Sequence, residues 1–188
     1  MSLREREIDE RVIETCQQGD MAAFQMLFEA YNDKVFSIAL SCCGDACVAK
    51  DITQIVFLKV FNNIGQFSFD ARFETWLYRI VVNTCIDEEK KRKRLVPFSE
   101  LTINDMSVKQ SQEDRYVRRQ VREAVKSVIL SLNPKLRLPI ILKYVEDLSY
   151  AEIAKVLGCS PGTVASRLNA GHKIIARKLA YLRDALDL

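Results

Sequence analysis

Apolar residues recur at helical spacing over almost the whole chain of 188 residues. Phe24, Leu27, Phe28, Tyr31, Val35, Ile38, Ala39 and Cys42 follow the i, i+3, i+4, i+7 rule without a break. That is the period of an amphipathic helix with one buried face. Ile52, Val56 and Val60 continue the pattern, and Ile55, Phe57, Leu58 and Phe61 widen the apolar surface. Phe73, Trp76, Leu77, Ile80 and Val81 form a third stripe. A chain patterned this way is expected to be all-α.

The breaks in the period divide the chain. Gly44-Asp45 and the stretch from Gly65 to Ala71 separate the first three stripes, giving a helical domain over residues 8–94. Residues 95–113 lose the period and carry Pro97, Ser99, Thr102, Asn104, Asp105 and Ser107, the composition of a flexible polar linker. From residue 114 the helical spacing returns in Val117, Val121, Val125, Val128 and Ile129, and a second domain is expected over 114–183. Within it, Asn133 and Pro134 read as N-cap and first position of a helix. Pro139 lacks a backbone donor, so a bend or tightened turn is expected there. Ser149 and Glu152 have capping-box spacing, Gly158 marks a helix end, and Ser160-Pro161 opens the next helix. Val164, Leu168 and Ile175 continue the buried stripe of that helix.

Bulk composition narrows the function by exclusion. A hydrophobic content of 48% supplies real cores, yet no apolar run approaches the roughly 20 residues of a membrane span. The charged start MSLREREIDE has no apolar segment of a secretory signal, so a cytoplasmic location is expected. The net charge of +3 is too small to signal nucleic acid by itself. Its distribution says more: residues 1–30 are mostly acidic among their charges, whereas cations cluster at 90–94, at Arg115, Arg118, Arg119 and Arg122, and from Arg167 to Arg183. The six cysteines are Cys16, Cys42, Cys43, Cys47, Cys85 and Cys159, and no CxxC pair occurs. In a cytosolic chain they stay reduced. Cys43 and Cys47 would be i, i+4 on a continuous helix, a spacing that suits a metal or a redox pair; small buried thiols are the plainer reading. The single histidine, His172, lies far from them in sequence, which argues against a cysteine-based enzyme.

Two segments carry the functional signal. Around residues 149–178, two helices joined by a short turn containing Gly158 form a helix-turn-helix pattern, whose second helix enters a DNA major groove. Thr163, Ser166, Arg167, Asn169 and Lys173 offer that helix hydroxyl, guanidinium, amide and ammonium groups for phosphates and base edges. The helix start at Pro161, Gly162 and Thr163 presents free backbone N–H groups to a phosphate. A plain helical hairpin would show the same caps and apolar spacing. The other segment is FETWLYRIVVNTCIDEEKKRKR, residues 73–94, with aromatics at its front and Lys90, Lys91, Arg92, Lys93 and Arg94 at its back. Alone, the aromatics are compatible with core and the cations with a solvated helix end.

Together the two segments resemble the extracytoplasmic-function sigma factors, bacterial initiation factors built from sigma domains 2 and 4. GDMAAFQMLFEAY is similar to the opening helix of that family and DITQIVFLKVF to its polymerase-binding segment. FETWLYRIVVNTCID and LNPKLRLPIILKYVEDLSYAEIAKVLGCSPGTVASRL match its two long signatures, so the resemblance spans nearly the whole chain. It implies a factor that binds core RNA polymerase, directs it to promoter DNA and helps melt the minus-ten element. Such a factor is not itself an enzyme and has no cofactor and no small-molecule substrate. By position, Phe67 would stack on an unstacked non-template base and Asn83 would hydrogen-bond its edge, with Trp76 and Tyr78 as the platform beneath. Lys59, Arg79 and the run containing Lys90, Lys91 and Arg92 would hold phosphates. Asp51, Gln54, Phe57 and Leu58 fall where the family docks on the clamp helices of the polymerase, although Phe57 also reads as core. Gly162, Thr163, Ser166, Arg167, Asn169 and Lys173 would meet the minus-thirty-five element. The linker would run through the polymerase near its active-site or RNA-exit channel. An anti-sigma factor, often membrane-anchored in the family, is an expected partner.

The chain departs from the family pattern at several positions. Glu74 stands where a basic or neutral residue is common, and would either repel phosphate or pair with a nearby arginine. Ile55 replaces a common glutamate. Ala165, Ala170 and Gly171 stand where many members have Lys or Arg, which predicts few minus-thirty-five contacts and a weak salt dependence. Gly171 inside a helix suggests close approach to DNA or to a partner helix. His172 would contact phosphate if exposed. Two other readings stay open at this point: a polymerase-independent helix-turn-helix regulator, and a sigma mimic that titrates an anti-sigma factor.

Overall fold

The structure, a computed structural model, describes residues 8–95 and 113–180. Eight α-helices and one short 3-10 turn make up the described residues, with no strand among them. The all-α expectation therefore holds. The residues expected to form the linker, beyond Leu95 and before Glu113, lie outside the described residues, as do Arg183 and the rest of the chain past residue 180.

The first half contains α1 (Glu10–Gln17), α2 (Met21–Cys43), α3 (Ala46–Asn63), the 3-10 turn Ile64–Gln66 and α4 (Phe73–Leu95). Local chemistry sets each end. The Asp20 carboxylate accepts from the Ala23 N–H and starts α2. Gly44 ends α2 in the left-handed region at φ 74°, its N–H donating to Leu40 O, and only glycine adopts that conformation without a Cβ penalty. Asp45 then caps α3 through the Cys47 and Val48 N–H groups. A junction this short folds α3 back along α2 as a helical hairpin. It also breaks the helix between Cys43 and Cys47, so these thiols do not share a helix face. Cys43 instead donates to Asp45 O at 3.2 Å, and Cys47 is exposed.

The core of this half is built by Leu27, Val35, Ile38, Ile52, Val56, Val60, Leu77 and Val81, each almost fully removed from water. Burial of a side chain of this size stabilises the fold by about 1.5–3 kcal/mol. Cys42 and Cys85 are buried here. A hydrogen bond with Cys42, together with burial, pushes the Cys85 thiol far above its ordinary range, and burial raises Cys16 and Cys43 as well. The thiols of Cys16, Cys43 and Cys85 are therefore protonated at neutral pH, which disfavours a thiolate-based switch at these three positions.

The second half contains α5 (Glu113–Leu130), α6 (Pro134–Tyr144), α7 (Tyr150–Leu157) and α8 (Pro161–Lys178). Its caps follow the sequence reading. Asn133 accepts from the Lys135 N–H with Pro134 at the first position. Ser149 and Glu152 form the reciprocal capping box, and Gly158 closes α7 at φ 62°. Those bonds to Ser149 hold the Glu152 carboxyl below its usual range. Ser160 opens α8 by accepting from the Thr163 N–H at 3.1 Å. Pro139 sits inside α6 and is buried. Leu142, Ile153, Val164 and Leu168 form the core, while Ile175 is only partly covered.

Gly171 has a packing reason. A Cβ built there would lie 2.6 Å from the Cδ1 of Ile140 on α6. Close approach of two helices, not of DNA, accounts for the glycine. Alanine gains about 1 kcal/mol of helix propensity and forces Ile140 to shift, so the two effects nearly cancel. Gly171→Val has no such offset. It is expected to lose about 2 kcal/mol or more of stability by overpacking, read as a lower urea midpoint at unchanged slope.

Candidate nucleic-acid interface

The face of α4 begins in an aromatic cluster. Phe67, in the loop before the helix, packs its ring 5.5 Å from Phe73 and 5.7 Å from Trp76. Phe69 lies 4.8 Å from Phe67. Phe67 is only 6% exposed, whereas Trp76 and Phe69 are half-buried and Phe69 has a positive φ of 60°. Asn83 is exposed on the same side of α4, seven residues beyond Trp76 and about 10 Å further along the axis. The structure thus does not place the Phe67 ring and Asn83 around a single open cavity. Among the loop aromatics, Phe69 is the more accessible.

Cations follow. Lys59 donates from Nζ to Thr84 Oγ1 at 3.0 Å, linking α3 to α4. Lys59, Lys90, Lys91 and Arg94 line one groove between these helices. Asp87 lies 3.7 Å from Lys90, and Glu88 accepts from Lys91. Part of the charge of the basic run is therefore offset within α4 itself. Arg92 is exposed. Glu74, the unexpected acid at the helix start, lies 3.5 Å from Arg72 and accepts from the Tyr31 hydroxyl at 2.8 Å. It serves internal contacts, in line with the arginine-pairing alternative.

An adjoining face of α4 is covered by the second half of the chain. Tyr78 is buried, and its hydroxyl donates to Glu146 Oε2 at 2.9 Å. Burial and the Glu146 carboxylate push the Tyr78 hydroxyl far up. Tyr78 is therefore not an open platform for a base here. Arg79 donates from Nη2 to Lys155 O at 2.7 Å, and Arg72 lies 3.9 Å from Glu152. Glu89 accepts from the Arg137 guanidinium, which also donates to Leu130 O at 2.8 Å. Asn83 and Arg167 line one cleft, closed by apolar Val82, Ile86, Leu138 and Leu157. None of these cross-contacts has a signal in periodicity or capping, because they join residues many tens of positions apart.

On α8, Gly162, Ser166, Asn169 and Lys173 are exposed and Thr163 is half-buried. Ser160 and Thr163 hydroxyls lie 2.9 Å apart. Arg167 is turned toward the cleft, its Nη1 3.8 Å from Cys159 Sγ. His172 is half-buried, its Nε2 3.0 Å from the Tyr144 hydroxyl.

A second surface lies on α2 and α3. Asp51, Gln54 and Leu58 are exposed, Leu58 to 63%. Phe57 is only 5% exposed and its ring packs 4.6 Å from Phe28. It is a core residue rather than an exposed anchor, because the one-residue step from Leu58 turns it inward. The exposed apolar groups beside Leu58 are Phe61, at 44%, and Phe28, at 39%. Sequence reading placed Phe28 in the buried stripe. Leu58, Phe61 and Phe28 thus leave large apolar side chains exposed on α2 and α3, on the same two helices as exposed, polar Asp51 and Gln54.

Comparison with known proteins settles the family. Residues 27–95 match Sigma-70 region 2, and residues 122–173 match Sigma-70 region 4. The chain belongs to the extracytoplasmic-function sigma factors. It is 33% identical to the RNA polymerase sigma-H factor of Pseudomonas aeruginosa, over 96% of this chain and 98% of the relative. It is 31% identical to the extracytoplasmic-function sigma factor SigW of Bacillus subtilis, over 90% and 96% of the two chains. Among solved structures, the fold is similar to that of CnrH bound to the cytosolic domain of CnrY, with a TM-score of 0.70 at 21% identity over 92% of this chain and 97% of that one. It is also similar to the sigma factor RpoE of Bartonella quintana bound to the anti-sigma factor NepR, with a TM-score of 0.66 at 21% identity over 84% and 96%. As a sigma factor, the chain is a transcription initiation factor that binds core RNA polymerase and directs promoter recognition and DNA melting. No helix among the described residues is long and apolar enough to cross a membrane.

Proposed function

We propose that the α4 face reads and opens the minus-ten element, that the exposed α2–α3 patch docks on core polymerase, and that the outer edge of α8 contacts the minus-thirty-five element. The observation that carries this reading is the content of one helix. An aromatic cluster at its head, an exposed amide at Asn83 and cations at its end follow one another along α4. An unstacked base needs a π-face and an edge reader, and its flanking phosphates need cations. Phe67 is covered, so capture of the base goes with a rearrangement of the 68–72 loop beyond it, in which Phe69 is the first aromatic met. Ser166, Asn169 and Lys173 are the minus-thirty-five contacts available in this arrangement, joined by Arg167 once the cleft opens. A polymerase-independent regulator or a sigma mimic has no use for both surfaces.

The closed arrangement does not serve both promoter elements. They are about 25 base pairs apart, roughly 85 Å of duplex, whereas Asn83 and Arg167 line a single cleft. Polymerase and promoter binding therefore separate α7 and α8 from α4. The apolar cleft between the halves is the surface that a protein inhibitor, an anti-sigma factor, would occupy. The chain acts as a cytoplasmic, non-catalytic factor. Promoter-specific run-off with purified bacterial core polymerase, using the region upstream of its own gene, tests the reading. A specific transcript is expected only when the protein is added. Absence of binding to core polymerase would overturn it.

A further inference from the structure

Gln17 is the last residue of α1 and lies upstream of the segment that matches region 2. Its side chain reaches a backbone segment about fifty positions later. Its Nε2 donates to Ile64 O at 2.9 Å and to Phe67 O at 2.8 Å. A primary amide carries two hydrogens, so one nitrogen satisfies both carbonyls. Ile64 O also accepts from the Phe67 N–H at 3.1 Å. The two carbonyls bracket the 3-10 turn that leads from α3 into the loop before α4. Gln17 is itself well anchored, since Ile13 and Cys16 hold α1 in the core. At the other end of the loop, Ser68 bonds locally to Asp70 at 2.6 Å and Phe69 has a positive φ.

We infer that Gln17 is a positioning residue for promoter opening. Its amide pins the Ile64–Phe67 turn, so that the aromatics of the loop meet the unstacked base in register with Asn83. This inference rests on the base-capture reading above. Without the two donors, the turn must be ordered when the base arrives, and that entropy is charged against opening.

The test uses holoenzyme reconstituted from core polymerase and the full chain, on the promoter upstream of its own gene, with permanganate reactivity reporting the opened strand. Gln17→Ala removes the amide. Gln17→Glu keeps its size, takes away both donors and sets a carboxylate against two carbonyls. Both variants are expected to lower open-complex formation about tenfold, the scale of two lost hydrogen bonds. Core-polymerase affinity is expected to stay within about twofold. If Gln17→Glu opens the promoter as the unmodified chain does, the side chain is only a spacer and the inference falls. It also falls if core affinity drops in step with opening, because the contact would then serve general stability. Asn83→Ala run in parallel separates the two ideas. Normal opening by Asn83→Ala removes the base-capture reading and this inference with it. A defect in Asn83→Ala alone, with Gln17→Ala normal, removes only the role of Gln17.

Discussion

Asn83→Ala is expected to lower promoter opening by about 10- to 100-fold, the range set by losing one bidentate base contact worth about 1–3 kcal/mol. The side chain is exposed on α4, so its removal leaves no buried polar group and costs little stability. Binding to core polymerase, which uses α2 and α3 in this reading, is expected to be unchanged. The defect therefore separates into normal holoenzyme assembly and failed melting. Electrophoretic mobility of the holoenzyme reads the first, and permanganate reactivity reads the second. Discrimination at the captured base should relax in the same variant, since an aromatic face accepts any base while an amide does not. Unchanged opening and unchanged base preference in Asn83→Ala would move base recognition elsewhere on the molecule.

Leu58→Asp is expected to weaken core-polymerase binding by about 30-fold or more, the loss of one central apolar contact plus the cost of a desolvated charge. Leu58 is 63% exposed, so the variant folds with nearly native stability. Phe57→Ala, one residue earlier, provides the contrast. Phe57 is 5% exposed and packs on Phe28, so truncation is expected to cost about 3–5 kcal/mol of stability. Any loss of polymerase binding would then track unfolding. Fluorescence anisotropy with labelled protein measures the affinity, and thermal melting measures the fold. If Leu58→Asp binds core polymerase normally, the α2–α3 patch is not the docking surface.

Helices, caps and breaks were legible in the chain because their physics is local. Gly44, Asp45, Asn133, Ser149, Gly158 and Ser160 act on backbone groups within four residues, and each does in the structure what its type and spacing imply. The two family signatures were legible for the same reason. Each is a contiguous run. Phe57 shows where this stops. Period alone placed it on an apolar surface, but whether that surface faces the core or a partner depends on how α3 rolls against α2.

Tyr78, Arg79 and Gln17 reach further. Their partners Glu146, Lys155, Ile64 and Phe67 stand between about 47 and 76 positions away. Burial of Phe67 and the contact of α7 with α4 follow from the same long-range packing. Residue order was enough for the helices, their ends and the family, since these depend on neighbours along one turn. Folding in three dimensions was needed for which aromatic is open, which cation is occupied and which face is covered. Those outcomes depend on contacts between helices, and no spacing rule within a single helix contains them.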